Sequence, residues 1–452
     1  MLISFTNGVF SAPRSPRETL TLGPDNYLYG ATYVGGDGGF GAAFKLSPQG
    51  QMTILGSLDG THTGGAPYGG LTRGTNGLYY GTANFAGPGS SGTLFQVDSN
   101  GGLSVLYAFS RENASGNVLT NQDGAWPYGS LSPGPDGYLY GTASGGGKFG
   151  GGTVYKISYR GDFTTLYHFA GYGPIGGTNT KGFEPQGGLG RRCRWQPYGT
   201  TFLGGTNGDG TVFRITPSGE LTTLVNFSGP DRNEPSDSLL AMPDGWLYGT
   251  TLNGGIYGNE GTVYRVNTNG PFQQLHSFDF GEGAAPWAGL TAGPNGWFYG
   301  TTTAGNGLVY AWGTIFAICT NGQMQILANF AKTNGWDPMA GVTIGPDGNL
   351  YGTAWAGGPA GDNGAGVIYR LRIKADPPTL TQIVRTQAGN ISIQGSTSAA
   401  NRLVLQAITN LNASANPRNW SEVDGITSTS GSVEFSDTNT AAPVKFYRLA
   451  IL

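Results

Sequence analysis

Seven positions that stand immediately before a proline hold Ser15, Ala66, Trp126, Glu184, Glu234, Ala285 and Asp337. Three are carboxylates, and Asp237 lies close behind one of them. If these positions surround one axis, Glu184, Glu234, Asp237 and Asp337 can hold a pair at the roughly 5 to 9.5 Å separations that glycosidases use. An acid before proline serves equally well to cap or bridge a loop, so residue type leaves both roles open. Aromatic residues crowd the same stretches: Trp126, Trp287, Trp312, Trp336 and Trp355, joined by Tyr68 and Tyr128. A ring can stack on the C–H face of a sugar while an indole keeps a polar edge for water, which suits a glycan-binding rim. The same rings can instead pack loops between repeats. His62 is a candidate base, and Lys181 or Arg232 could supply the cation that lyase chemistry also wants.

Other chemistries find no foothold. There is no Gly-x-Ser-x-Gly elbow, no His-Glu-x-x-His and no Ca²⁺ loop signature. Gly145-x-Gly147-x-x-Gly150 has the spacing of a dinucleotide fingerprint, but no helical pattern follows it and so glycine-rich a chain produces it easily. No cofactor and no metal is called for.

The elements that must position these residues are set by a repeat. An apolar-aromatic-Gly-Thr core recurs around Tyr29, Tyr80, Tyr140, Tyr198, Tyr248, Tyr299 and Tyr351, with spacings of 51, 60, 58, 50, 51 and 52 residues. That period is one four-stranded propeller blade, and the longer intervals fall in loops. Strand A follows the proline and ends at a turn such as Gly134-Pro135-Asp136-Gly137, strand B is the Tyr-Gly-Thr segment, strand C is Gly-Thr-Val-Tyr-Lys-Ile (152–157) and its equivalents, and strand D follows a second polar turn. The D strands share Leu-x-x-Phe, as in Leu166 to Phe169, and Leu2-Ile3-Ser4-Phe5 repeats it with no blade of its own. The first strand is therefore expected to complete blade seven and remove its open edge.

These repeats resemble those of the bacterial choice-of-anchor tandem repeat GloVer-containing proteins, whose unit reads like Pro-Tyr-Gly-Gly-Leu, Gly-Pro-Asp-Gly-x-Leu-Tyr-Gly-Thr, Gly-Gly and Gly-Thr-Val-Tyr, as in residues 127–155 and 338–369. The resemblance covers residues 1 to 373 and implies a propeller without implying a reaction. Blade four departs from it: Arg192-Cys193-Arg194-Trp195-Gln196-Pro197 stands where blade seven has its Gly-Pro-Asp-Gly turn. Arg191, Arg192 and Arg194 there form either an anion site or a drifted turn, with strain or disorder expected.

The expected fold is all-β: a seven-bladed β-propeller over 1–374, then a small immunoglobulin- or fibronectin III-like β-sandwich over 375–452, where the glycine repeat stops and six short strands follow. Among 452 residues, 82 glycines and only 11% charged residues suit short strands and tight turns. A net charge of -3 carries no footprint for nucleic acid or an anionic membrane. No run of 18 apolar residues occurs, so no membrane insertion is expected. Cys193 and Cys319 are too few for a disulfide framework and are expected to stay free. The composition resembles secreted bacterial repeat proteins, which places the chain outside the cytoplasm, extracellular or periplasmic, with no signal peptide in the sequence as given, and as a monomer.

In a propeller the D-to-A and B-to-C loops share one face, and here they are long and variable (110–126, 170–184, 303–313) while the opposite turns are short. Function is therefore sought on the first face. The leading reading is a secreted protein that binds a polysaccharide or oligosaccharide there. The alternatives are a glycoside hydrolase or polysaccharide lyase using the carboxylates above, and a protein-interaction or cell-surface scaffold using the tail.

Overall fold

The computed structural model describes residues 1–6, 12–115, 118–171, 179–191, 196–228, 234–293, 296–305, 312–360 and 364–373, together with the backbone of the strands between 379 and 451. The chain divides into two compact units, Met1–Thr291 with Phe298–Leu371 and Ala292–Trp297 with Arg372–Leu452.

Seven four-stranded antiparallel sheets form a β-propeller, six of them in chain order from strand A to strand D. Blade three is typical, with Ser132–Pro133, Tyr138–Ala143, Gly150–Ser158 and Phe163–Ala170. The C-to-D pairing carries a register shift at matching places, between Val154 and Tyr155, Val212 and Phe213, and Val263 and Tyr264. A bulge there adds twist to the outer strand, as a blade needs.

Each residue of the Tyr-Gly-Thr core has its own task. In blades one, three and seven the tyrosine hydroxyl donates to the turn aspartate four residues earlier, at 2.7 Å from Tyr29 to Asp25, 2.6 Å from Tyr140 to Asp136 and 2.9 Å from Tyr351 to Asp347. The glycine admits the aromatic residue of strand C: a Cβ on Gly249 would lie 2.6 Å from the Tyr264 hydroxyl oxygen, and Phe44, Phe95, Tyr155, Phe213, Phe316 and Tyr369 crowd the equivalent glycines. The threonine ties blades together. Thr82, Thr142, Thr200, Thr250, Thr301 and Thr353 each donate to the carbonyl of the residue two beyond the next blade's proline, at 2.9 Å for Thr142 to Gly187 and 3.1 Å for Thr353 to Glu18. Blade one has Ala31 at that position and lacks the tie.

Ile3–Thr6 pairs antiparallel with Gly364–Leu371 as the outermost strand of blade seven, placing Ile3 opposite Ile368 and Ser4 opposite Val367. Phe5 is buried, as are its Leu-x-x-Phe counterparts Phe109, Phe169, Phe227, Phe278 and Phe330. Burying each ring stabilises the fold by about 1.5–3 kcal/mol.

The loop after strand D of blade two holds a short hairpin, Asn113–Ser115 with Val118–Thr120, where the sequence suggested only a long connection. Local alternation over three residues is too short to announce a strand. Cys319 is free, and its thiol donates to Asn321 Oδ1 at 2.7 Å. Cys193, Arg192 and Arg194, and with them the altered turn of blade four, lie outside the described residues. The second unit contains two antiparallel three-stranded sheets, Thr379–Arg385, Ile391–Thr397 and Gly431–Asp437 in one, and Ser421–Ser428, Asn401–Ile408 and Phe446–Ile451 in the other.

Candidate binding site at the axial mouth

All seven pre-proline residues adopt left-handed backbone: φ is 56° at Ser15, 50° at Ala66, 58° at Trp126, 55° at Glu184, 60° at Glu234, 53° at Ala285 and 54° at Asp337. Such backbone costs of order 1–3 kcal/mol per non-glycine residue and persists only where the surroundings impose it. Here the preceding blade and the end of the same blade's strand B impose it together. The Glu184 N–H donates to Gly151 at 3.0 Å and the Trp126 N–H to Ser91 at 2.9 Å, while the Glu184 carbonyl accepts from Phe202 at 3.0 Å. Each proline ring then lies against the glycine that opens strand C of the preceding blade; a Cβ on Gly152 would stand 2.8 Å from Pro185 Cδ.

The kink turns the next residues toward the axis. Arg17, Tyr68, Tyr128, Gln186, Ser236, Trp287 and Met339, each one beyond its proline, line a cavity of about 60 Å³ together with Glu18 and Asp237. Farther along the A strands a second cavity, of about 210 Å³, is lined by Thr19, Thr21, Thr72, Ser130, Ser238 and again Asp237.

Arg17 is the one cation among the residues lining the outer cavity. Its guanidinium donates to the Tyr68 hydroxyl at 2.7 Å and to the Met339 sulfur at 2.8 Å. It also lies 4.5 Å from the ring centre of Tyr68, 5.1 Å from that of Trp355 and 5.2 Å from that of Tyr33. Tyr68 in turn packs 4.6 Å from Tyr128. Burial pushes the Tyr68 hydroxyl up to about 12 against the pull of Arg17, and raises Tyr128 in the same way. Both are thus neutral donors at ordinary pH.

The carboxylates singled out in the sequence divide. Asp237 lines both cavities; burial raises its carboxyl although the N–H groups of Gly289 and Ser238 donate to it at 2.7 and 2.6 Å. Asp337 is raised by burial and drawn back by Arg17, which places it beside the cluster. Glu184 is raised by burial and acts electrostatically on Tyr128. Glu234 accepts from Asn253 Nδ2 at 2.5 Å and belongs to a loop contact.

The aromatic residues divide as well. Tyr68, Tyr128 and Trp287 line the mouth and Trp355 sits against Arg17. Trp312 and Trp336 form a separate edge-on pair at 4.6 Å, with Lys332 5.2 Å from the Trp312 ring. Trp126 is the most open of the five tryptophans, at 38% exposure, and is not among the residues lining either cavity. His62 lies apart on an exposed loop, its ring held 3.0 Å from Asp59. Lys181 is exposed, and Arg232 falls outside the described residues.

Arg17, Glu18, Gln186 and Met339 were not singled out by sequence. The signal was available one and two places past each proline, where the repeats disagree most.

The Gloeobacter/Verrucomicrobia repeat matches residues 177–308. Over that segment the chain carries the Gloeobacter/Verrucomicrobia repeat. The matched segment of the repeat contains the Tyr-Gly-Thr cores at Tyr198, Tyr248 and Tyr299. No curated protein matches the chain. Similar solved structures include the extracellular domain of a protein assigned as a one-component system from B. thetaiotaomicron, at 13% identity over 93% of this chain and 53% of that one, with a TM-score of 0.47. This chain thus spans about half of that one's length. A protein assigned as a 6-phosphogluconolactonase from Bacteroides uniformis is similar at 14% identity over 91% of this chain and 98% of that one, with a TM-score of 0.46. A PL25 ulvan lyase bound to a saccharide of GlcA and Rha3S is similar at 11% identity over 70% of this chain and 79% of that one, with a TM-score of 0.39. Each is a distant likeness.

Proposed function

We propose that this propeller binds a polysaccharide or oligosaccharide at the axial mouth of the face formed by the D-to-A and B-to-C loops. The observation that carries the reading is the cup of Tyr68, Tyr128 and Trp287 closed on one side by Arg17. Aromatic faces meet sugar C–H groups, and neutral tyrosine hydroxyls with a guanidinium donate to sugar oxygens. The protein works outside the cytoplasm, extracellular or in a periplasm, as a monomer. Among the described residues no helix is long and apolar enough to cross a membrane.

Catalysis is the second reading, favoured by Asp337, whose carboxyl burial raises beside Arg17, as a general acid requires. One assay separates the two. A panel of neutral and acidic polysaccharides is run in native affinity gels and, in parallel, tested for new reducing ends and unsaturated uronate absorbance. Retention without product is expected, weakened by about 1–3 kcal/mol in Trp287→Ala or Tyr128→Ala, the range of aromatic hot-spot truncations. Product that disappears in Asp337→Asn replaces binding with catalysis, and retention unchanged by both aromatic truncations removes the site.

A further inference from the structure

The residues two beyond each proline are Glu18, Gly69, Gly129, Gly187, Asp237, Ala288 and Ala340. Five blades thus place a hydrogen or a methyl group at this register, and blades one and five, as far apart as a ring of seven allows, place a carboxylate. The backbone there is fixed, because the carbonyls of Glu18 and Asp237 accept from Thr353 and Thr200 of the preceding blades. Both acids line the same outer cavity.

Glu18 is the informative one. It is 2% exposed, and neither carboxyl oxygen has a hydrogen-bond partner. A carboxylate taken out of water without partners is among the most costly groups a fold can contain. The neighbouring Arg17 does not relieve it, since that guanidinium turns to Tyr68 and Met339. Asp237, by contrast, accepts one backbone N–H at each carboxyl oxygen and is among the residues lining both cavities.

We propose that the axial cavity is a binding site for one divalent cation of the Ca²⁺ class, held by the carboxylates of Glu18 and Asp237, with water and lining oxygens completing its shell. The donor chemistry selects the class: oxygen alone suits a hard cation, and Ca²⁺ accepts six to eight oxygens in loose geometry, whereas zinc and copper favour imidazole or thiolate. Glu18 and Asp237 are the two acids among the residues lining the outer cavity, so neutral lining oxygens and water would supply the rest of the shell. The outer cavity of about 60 Å³ holds more than one water beside an ion. This inference is independent of the glycan reading, because two carboxylates hold a cation without any sugar present.

The test uses the full chain stripped with a chelator and titrated with CaCl₂ by calorimetry, alongside melting curves. One ion per chain is expected, with a melting midpoint that rises as Ca²⁺ is added. Glu18→Gln and Asp237→Asn should each weaken binding at least tenfold, while Glu220→Gln, on an exposed turn, binds as the parent does. Should either variant fail to fold, Tb³⁺ added to the unaltered protein under ultraviolet excitation decides, since Tyr68, Tyr128 and Trp287 line the same cavity and would sensitise its emission. Sensitised Tb³⁺ emission displaced by Ca²⁺ supports the site. Absence of binding heat and of emission, or a Glu18→Gln protein that binds Ca²⁺ as tightly as the parent, overturns it.

Discussion

Thr142→Val tests whether the threonine of the repeated core holds the ring together. The side chain is fully buried, and its hydroxyl donates at 2.9 Å to the Gly187 carbonyl of the next blade. Valine keeps the volume and deletes the donor, leaving a buried carbonyl without that partner. The loss is the desolvation of the orphaned group, about 1–3 kcal/mol. The propeller unit contains roughly 365 residues, and at about 2.1 cal/mol/K per residue its unfolding entropy is about 0.8 kcal/mol/K. The midpoint should therefore fall by about 1–4 °C, measured by scanning calorimetry against Thr53→Val, an exposed site expected to stay within about 0.5 kcal/mol of the parent. The complementary change, Ala31→Thr, supplies the missing seventh tie to Gly69 and should raise the midpoint. If Thr142→Val melts with the parent, the recurrence of threonine at this position has another cause.

Two further outcomes follow from the geometry. Phe5→Ala empties the outer core of blade seven and should cost about 3–5 kcal/mol, read as faster amide exchange across Gly364–Leu371 with blade three unchanged; uniform exchange throughout the ring would contradict a local clasp. Asp59 accepts the N–H groups of Thr63 and His62, and these bonds, outweighing its slight burial, hold its carboxyl below the ordinary 3.8. A depressed folded pKa means that the stabilisation is whole above pH 3.8 and drains as pH falls below it, so exchange at Thr61–Thr63 should rise in that range and rise already at neutral pH in Asp59→Asn.

What the sequence made legible is what repeats. Tyrosine spacing located seven strands B, Leu-x-x-Phe revealed the displaced outer strand, and the proline marked where each A strand begins. Tyr68, Tyr128 and Trp287 were recognisable because aromatic residues near those prolines were already of interest. Arg17 and Glu18 were not, because a site in a repeat protein is made where copies disagree, and a reading built on agreement passes over single-copy residues. The left-handed backbone before proline was equally hidden. Proline disfavours helical backbone in the residue before it, and hydrogen bonds with the preceding blade and with the end of strand B, invisible in one dimension, override that preference.

The strand that clasps blade seven also orders events in time. Ile3 and its partner Ile368 are separated by nearly the whole propeller, so at about 5–20 residues per second the first waits roughly 20–70 seconds on the ribosome before the second is made. Six blades can form meanwhile, each on its predecessor, but Gly364–Leu371 emerges with a bare edge, and Ile3–Thr6 remains an unclaimed apolar strand throughout. Until the two meet, the nascent ring presents both halves of an adhesive pair, and neighbouring chains on one message could close each other's rings instead of their own.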